Sequence, residues 1–415
     1  MEKMLINGPT KLNGSVRVSR AKNAYLPILA GVLLCEGPVT LKNVPELRDI
    51  NTMKKLLGNL GVKITGDNSS MTFDSSKIDH VEATYDLVKT MRASICVLGP
   101  LLTRFHEAKV SLPGGCAIGS RPIDIHLSNL ELLGAEIILE GGYVHAKTKG
   151  LKGTSLVLEF PSVGATENIL MAAVLAKGNT KIENCALEPE VTDLANFLNA
   201  MGAKISGIGT KTLLIEGVEK LTGGEYEAIG DRIEAATYII AGLMTESEIE
   251  VTGFIPEHLE FVINKLKMAG AKFEISENGV KTFPSKLEGI DVDTAPYPGF
   301  PTDVQAQFIA LATYINGSSV ITENIFENRF MHVPELTRMG ADITLKGNAA
   351  IVKGGKELIG APVMCTDLRA SAALVLAALV AQGETEVQRV YHLDRGYEKL
   401  AAKFKELGAN IKRMD

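Results

Sequence analysis

Cysteine is scarce in this chain of 415 residues: Cys35, Cys96, Cys116, Cys185 and Cys365 are all there is. An odd number without CxxC spacing fits neither a disulfide framework nor a zinc site. The seven histidines never fall at a metal-binding spacing, so no metal is indicated. Long apolar runs are missing too. The longest, ASAALVLAALVA at 370–381, is too short to span a bilayer, and the opening MEKMLINGPTKLNG has no apolar signal core. There is no excess of basic charge. A formal net charge of -6 argues against a nucleic-acid or membrane-surface protein. No GxxxxGK[ST] loop occurs, and the close glycines of SGIGT sit inside a hairpin pattern, so a nucleotide cofactor has no support. These absences read as a cytoplasmic protein without a cofactor.

What is present is apolar bulk and repetition. Hydrophobic residues make up 46%, and the length exceeds what one ordinary core accommodates, so two domains are expected. A short pattern of helix end, glycine, small residue and strand recurs as NLGVKI, LLGAEI, AMGAKI, MAGAKF, RMGADI and ELGANI. Its glycines, Gly61, Gly134, Gly202, Gly270, Gly340 and Gly408, are 73, 68, 68, 70 and 68 residues apart. Each stands where a helix needs a left-handed cap before the chain turns into a strand. A second series, an apolar helix followed by a turn and a strand, runs in phase with it: ILAGVLLCEGPVTLKNV, ILMAAVLAKGNTKIENC, YIIAGLMTESEIEVTGF, FIALATYINGSSVITEN and LVLAALVAQGETEVQRV, with a looser copy in ICVLGPLLTRFHEAKVSL. Each unit of about 70 residues reads as hairpin, helix, strand, helix, which implies a layered α/β fold.

The ends carry a topological clue. The chain opens with a hairpin, MLINGPTKLNGSVRV, and closes with a helix and lone strand, KFKELGANIKRM. A circular arrangement repairs both if residues 1 to 20 complete the last repeat. The expected domains are 21–229, continuous, and 1–20 with 230–415, discontinuous. Two chain crossings, near Arg20–Ala21 and Ile229–Gly230, would form a hinge.

The residues opening the first helix of each repeat read RAKNAYLP, KTMRASIC, SVGATENI, GDRIEAAT, PTDVQAQF and TDLRASAA. Four contain a cation: Lys22, Arg92, Arg232 and Arg369. Helix N-termini already favour anions, and a cation there is unfavourable for the helix itself, so a phosphate or carboxylate ligand explains the choice. If the repeats are equivalent, three such termini in each domain point to a common cleft. Arg121, Arg329 and Arg395 add further positive charge from loops. Pairing with Asp231, Asp367 and Asp394 is the plain alternative for any one of these arginines. Cys116 lies in SLPGGCAIGSRPIDIH, a glycine-rich loop with Arg121 five residues on. Nearby cations lower a thiol pKa and make it a nucleophile or a tunable acid; otherwise it is a free surface thiol. Asp303, at a helix start, is the best candidate base, with helix capping as its other possible role.

RAKNAYLP, YDLVKTMRASI, LPGGCAIGSRPIDIHL, PSVGATENI, YPGFPTDVQAQF, FENRFMHVPELTRMGADI, TDLRASAALVLA and YHLDRGYE together resemble the UDP-N-acetylglucosamine 1-carboxyvinyltransferase family of enolpyruvyl transferases, essentially from end to end. The resemblance implies two inside-out α/β barrel-like domains of three repeats each. It implies transfer of enolpyruvate from phosphoenolpyruvate to the 3-hydroxyl of UDP-N-acetylglucosamine, the first committed step of peptidoglycan synthesis. By matching motif, Cys116 is the general acid, the site of a phosphoenolpyruvate adduct and the fosfomycin target. Lys22, Arg121 and Arg395 hold the phosphate and carboxylate of phosphoenolpyruvate, and Arg92 lies near both substrates. Asn23 and Asp303 contact the sugar, Asp303 as base. Arg121, Pro122, Ile123, Asp124 and Ile125, with Ser162, Val163, Gly164 and Ile325, line the UDP-sugar site. Arg329, Asp367 and Arg369 complete the charged cleft. No metal, nucleic acid or membrane partner is implied. Two departures stand out: SRAKNA where the family usually reads SGAKNA, which puts Arg20 beside Lys22, and Leu187 where an arginine is common. The related 5-enolpyruvylshikimate-3-phosphate synthases start with a glycine-serine-lysine-serine stretch that is missing here.

Overall fold

The computed structural model describes residues 2–89, 91–112 and 123–414. They divide into two compact units, one of residues 2–19 with 230–414, the other of residues 20–112 with 123–229. Each unit holds three four-stranded sheets, and all six share one topology. The first strand of a repeat pairs in parallel with the second, the second runs antiparallel to the fourth, and the third closes the far edge against the fourth. In the continuous unit Ser155–Val157 lies parallel to Asn179–Glu183, which pairs with Thr212–Glu216, which pairs with Lys204–Ser206. Helices connect first to second and second to third strands, so the repeat is strand, helix, strand, helix, hairpin. The extra first strand escapes a sequence reading because it is two to four residues long, as in Glu82–Ala83 and Val292–Asp293.

The N-terminal stretch is not a hairpin. Lys3–Gly8 pairs with Gly383–Gln388 and Asn410–Met414 in the sheet of the last repeat, while Gly14–Arg17 lies parallel to Ile249–Thr252 in the sheet of another. The two segments read as a hairpin because both alternate and a proline–glycine stretch separates them. Each instead supplies a strand to a different four-stranded sheet. The continuous unit closes in the same circular way: Gly224–Tyr226, at its C-terminal end, lies parallel to Val39–Lys42 near its start.

Why helices sit inside follows from their composition. Arg232–Met244 (RIEAATYIIAGLM) and Leu368–Val380 (LRASAALVLAALV) are buried at every residue, and Gln305–Tyr314 at all but the last. A helix apolar all round can only be a core element. These three pack on one another at the centre of the discontinuous unit. Lys22–Gly31, Leu98–Phe105 and Val163–Ala173 are the corresponding central helices of the continuous unit. The sheets form the outer layer, buried on alternate residues, as in the iBiBi pattern of Ser70–Asp74. Every sheet is open, so the repeats surround their helices without a closed barrel. The six repeat glycines all adopt positive φ, between 97° and 106°. Among the described residues no helix is long and apolar enough to cross a membrane.

Candidate active site

In the discontinuous unit the charged residues converge on Asp303. It lies in the 3-10 helix Thr302–Val304 that leads into Gln305–Tyr314. Arg329 Nη2 donates to Asp303 Oδ1 at 2.6 Å, and Arg369 donates to Oδ2 through Nη2 at 3.0 Å and Nε at 3.3 Å. Both guanidinium side chains are nearly sealed from water, at 5% and 3% exposure, whereas Asp303 keeps 26%. Arg329 Nη1 also donates to Thr302 Oγ1 at 2.8 Å, and Thr302 in turn donates to Glu323. Glu323 accepts from the amides of Ile325 and Phe326, which fixes the loop that carries Ile325 toward Arg329. Asp367 caps the helix Leu368–Val380 by accepting from the amides of Arg369 and Ala370. The Arg369 guanidinium itself turns to Asp303.

Arg369 also lies over the Tyr397 ring, 5.5 Å from its centroid. Burial alone would lower its pKa, but Asp303, Tyr397 and Asp231 outweigh burial and raise it. Behind the cluster, Gln307 Nε2 donates to the Asp303 carbonyl and to the Tyr397 hydroxyl. His332 is fully buried, and its pKa falls to about 4, through burial first and then Arg329, with Asp367 opposing. Arg395 stands half-buried at the end of the 3-10 helix Val390–Arg395. The neighbouring Asp394 is engaged by Arg413, through two bonds of 2.6 Å. Arg232 follows the capping Asp231 and lines a separate cavity of about 270 Å³ with His258 and Tyr297.

The continuous unit supplies a second group. Lys22 opens the helix Lys22–Gly31, is 9% exposed, and its Nζ lies 3.5 Å from Asp49. Asn23 follows it, half-buried. Arg92 begins the 3-10 helix Arg92–Val97, against which the Lys22 helix packs. Ile123 precedes the helix Asp124–Leu132, with Asp124 exposed and Ile125 half-buried. Ser162 caps Val163–Ala173. His126 ties these last two helices together: its Nδ1 lies 3.1 Å from Asn168 Nδ2, and a Cβ built on Gly164 would meet its ring at 3.4 Å. Gly164 thus lies directly against the imidazole, at ordinary contact distance. Burial and then Arg92 lower the His126 pKa to about 4, against Asp124, so the ring is neutral at pH 7. The structure thus joins Arg92, Asp124 and Gly164 around one histidine, and Lys22 to Asp49.

Cys116, Arg121 and Pro122 lie outside the described residues. The remaining thiols, Cys35, Cys96, Cys185 and Cys365, are buried and free. Among the described residues no cluster of His, Cys, Asp or Glu is arranged to hold a metal ion. Arg20 donates to Glu227, which also accepts from Asn43 Nδ2 at 2.6 Å, so the departure beside Lys22 has an acidic partner of its own. Nothing in the structure explains Leu187. Asp49, His126 and Glu323 escape a motif reading because Lys22, Asn168 and Thr302 lie 27, 42 and 21 residues from them, and His332 escapes it because its burial has no local sequence mark.

The chain belongs to the EPSP synthase (3-phosphoshikimate 1-carboxyvinyltransferase) family, whose model matches residues 6–404. Within that family it is 55% identical, over its whole length, to the UDP-N-acetylglucosamine 1-carboxyvinyltransferases of Coxiella burnetii, covering 96% of that protein, and of Hydrogenovibrio crunogenus, covering 100%. Among solved structures, the enolpyruvyl transferase NikO from Streptomyces tendae superposes with a TM-score of 0.89 at 25% identity, covering 100% of this chain and 99% of that one. The EPSP synthase from Acinetobacter baumannii shares the fold, with a TM-score of 0.79 at 19% identity and full coverage of both chains.

Proposed function

We propose that this chain transfers the enolpyruvyl group of phosphoenolpyruvate to the 3-hydroxyl of UDP-N-acetylglucosamine with release of phosphate, the first committed step of peptidoglycan synthesis. The observation that carries the reading is end-to-end identity of 55% to relatives named for that reaction. The Asp303 cluster supports it. Arg329 holds one carboxylate oxygen of Asp303 and Arg369 the other, which fixes the direction in which the group would meet a sugar hydroxyl. The 26% exposure leaves the group open to a ligand while its orientation is fixed.

In this reading Cys116 protonates C3 of phosphoenolpyruvate, which gives C2 cationic character. The sugar oxygen attacks C2 as Asp303 takes its proton. The tetrahedral ketal then loses phosphate and a C3 proton, restoring the double bond. Lys22, Arg121 and Arg395 hold the phosphate and carboxylate, and Arg92, Arg329 and Arg369 stabilise the charge that develops. Asn23 and Ile325 contact the sugar; residues 121–125 and 162–164 line the nucleotide site. Asp367 acts through Arg369. The crossings near Arg20–Ala21 and Ile229–Gly230 are the hinge about which closure holds the two reactants together. In this reading the protein works in the cytoplasm.

Phosphate release from phosphoenolpyruvate, followed with UDP-N-acetylglucosamine and separately with shikimate 3-phosphate, tests the proposal. UDP-sugar-dependent release, with a product heavier by one enolpyruvyl group, is the expected result. Release only with the shikimate substrate would overturn it, and so would silence with both.

A further inference from the structure

The helix that begins at Lys22 has no cap of its own. Ser162, Asp231 and Asp367 cap other central helices with side-chain oxygens, but the residue before Lys22 is Ala21, which has none to offer. Its backbone is held from elsewhere. The Ala21 amide donates to the carbonyl of Ile229 at 2.8 Å, and the Ala21 carbonyl then accepts the first helical bonds, from Ala24 and Tyr25. Ile229 is itself pinned, because its amide donates to Asp193 Oδ2 at 3.2 Å. Asp193 lies in the helix Pro189–Ala200 and is 4% exposed. Its other oxygen accepts from the Tyr226 hydroxyl at 2.7 Å. A buried carboxylate thus grips both ends of the segment 226–229, and that segment sets the start of the Lys22 helix. All of these contacts lie within the continuous unit.

Asp193 takes no part in the chemistry described above. A carboxylate this well sealed is costly to bury, and burial pushes its pKa up to about 6, with Glu190 acting the same way while the Tyr226 and Ile229 hydrogen bonds and Arg20 oppose. The neighbouring Arg20–Glu227 pair is more exposed and holds less firmly. We propose that Asp193 is a positioning residue for Lys22, acting through the relay Asp193–Ile229–Ala21. The proposal rests on the reading of Lys22 as a ligand of the phosphoenolpyruvate phosphate.

The test uses the full-length enzyme and two readouts, amide hydrogen exchange at Ala21 and the KM values for the two substrates. In Asp193→Ala, exchange at Ala21 speeds up and the KM for phosphoenolpyruvate rises about tenfold, as expected for a displaced binding group. The KM for UDP-N-acetylglucosamine rises by a smaller factor, about threefold, since of the residues at that helix start only Asn23 is read as touching the sugar. Asp193→Asn keeps one acceptor for the Ile229 amide and restores most of the loss. Tyr226→Phe removes only one of the two grips and shifts both readouts in the same direction by about threefold. Unchanged Ala21 exchange in Asp193→Ala would overturn the relay, as would an equal rise in both KM values. Should Asp193→Ala fail to fold, wild-type exchange in Tyr226→Phe overturns it instead. Loss of the proposed activity in the wild-type protein would sink the functional reading and leave the exchange test of the relay intact.

Discussion

Replacing Asp303 by alanine removes the one carboxylate shared by two guanidinium groups that are 5% and 3% exposed. Breaking a buried ion pair from one side costs about 3–5 kcal/mol, because the remaining charge stays buried. Here water reaches Asp303 itself, which argues for the lower end, about 3 kcal/mol. For a unit of this size each kcal/mol moves Tm by about 2–4 °C, so a fall of about 6–12 °C is expected by calorimetry. Asp303→Asn preserves shape and one acceptor oxygen and falls between the two. Removing Arg369 as well, by Arg369→Leu in the Asp303→Ala background, recovers part of the stability because one stranded charge goes with it. Turnover follows a different order. Both Asp303 variants lose the base and drop in kcat by about 10²–10⁴. A Tm within about 1 °C of wild type for Asp303→Ala would show that the arginines do not need the carboxylate, against the energetic reasoning. Full turnover in Asp303→Asn would refute the assignment of the base.

Other perturbations test other parts of the structure. Cys35, Cys185 and Cys365 have thiol pKa values raised by burial to about 12, 11 and 12, and Cys96 is raised well above the ordinary value. Iodoacetamide at pH 7 should therefore add at most one group to the native protein, and Cys116→Ser should abolish it, as read by intact mass. His126 and His332 are buried neutral with pKa values near 4, below the free value of 6.5. Their contribution is whole above about pH 6.5 and is lost as pH falls toward 4, at up to about 1.4 kcal/mol per pH unit for each, measured by urea denaturation. Glu167 is shifted the opposite way, raised by burial and by Glu190 and Glu188, so Glu167→Gln should flatten the loss of stability on raising the pH above the ordinary carboxylate range. Gly217→Ala would place a methyl group 1.7 Å from the Ala176 carbonyl oxygen, and poor soluble expression with a loss of at least about 3 kcal/mol is expected.

The repeats were legible because their signals are local. Gly61 and its five equivalents mark a left-handed cap that any observer of the sequence can count, and the apolar helices Arg232–Met244 and Leu368–Val380 show no polar face. The cations at the helix starts were legible for the same reason. Their partners were not. Asp49 lies 27 residues beyond Lys22, and Arg369 reaches Asp303 across 66. Of the acidic residues nearest the arginines in sequence, Asp367 caps a helix and Asp394 accepts from Arg413, which lies 19 residues on. The N-terminal strands misled because pairing between sheets depends on which sheet lacks a strand, and alternation says nothing about that.

That misread segment has a consequence for synthesis on the ribosome. Lys3–Gly8 and Gly14–Arg17 emerge first, yet their partners Ile249–Thr252 and Gly383–Gln388 emerge late. The continuous unit can finish folding once residue 229 is out, while both early strands still wait with open edges. Such edges invite pairing with other chains, so crowded polysomes are where this protein is most exposed to misassembly. A nascent chain stalled before residue 249 would carry a finished half and two strands with no place to go.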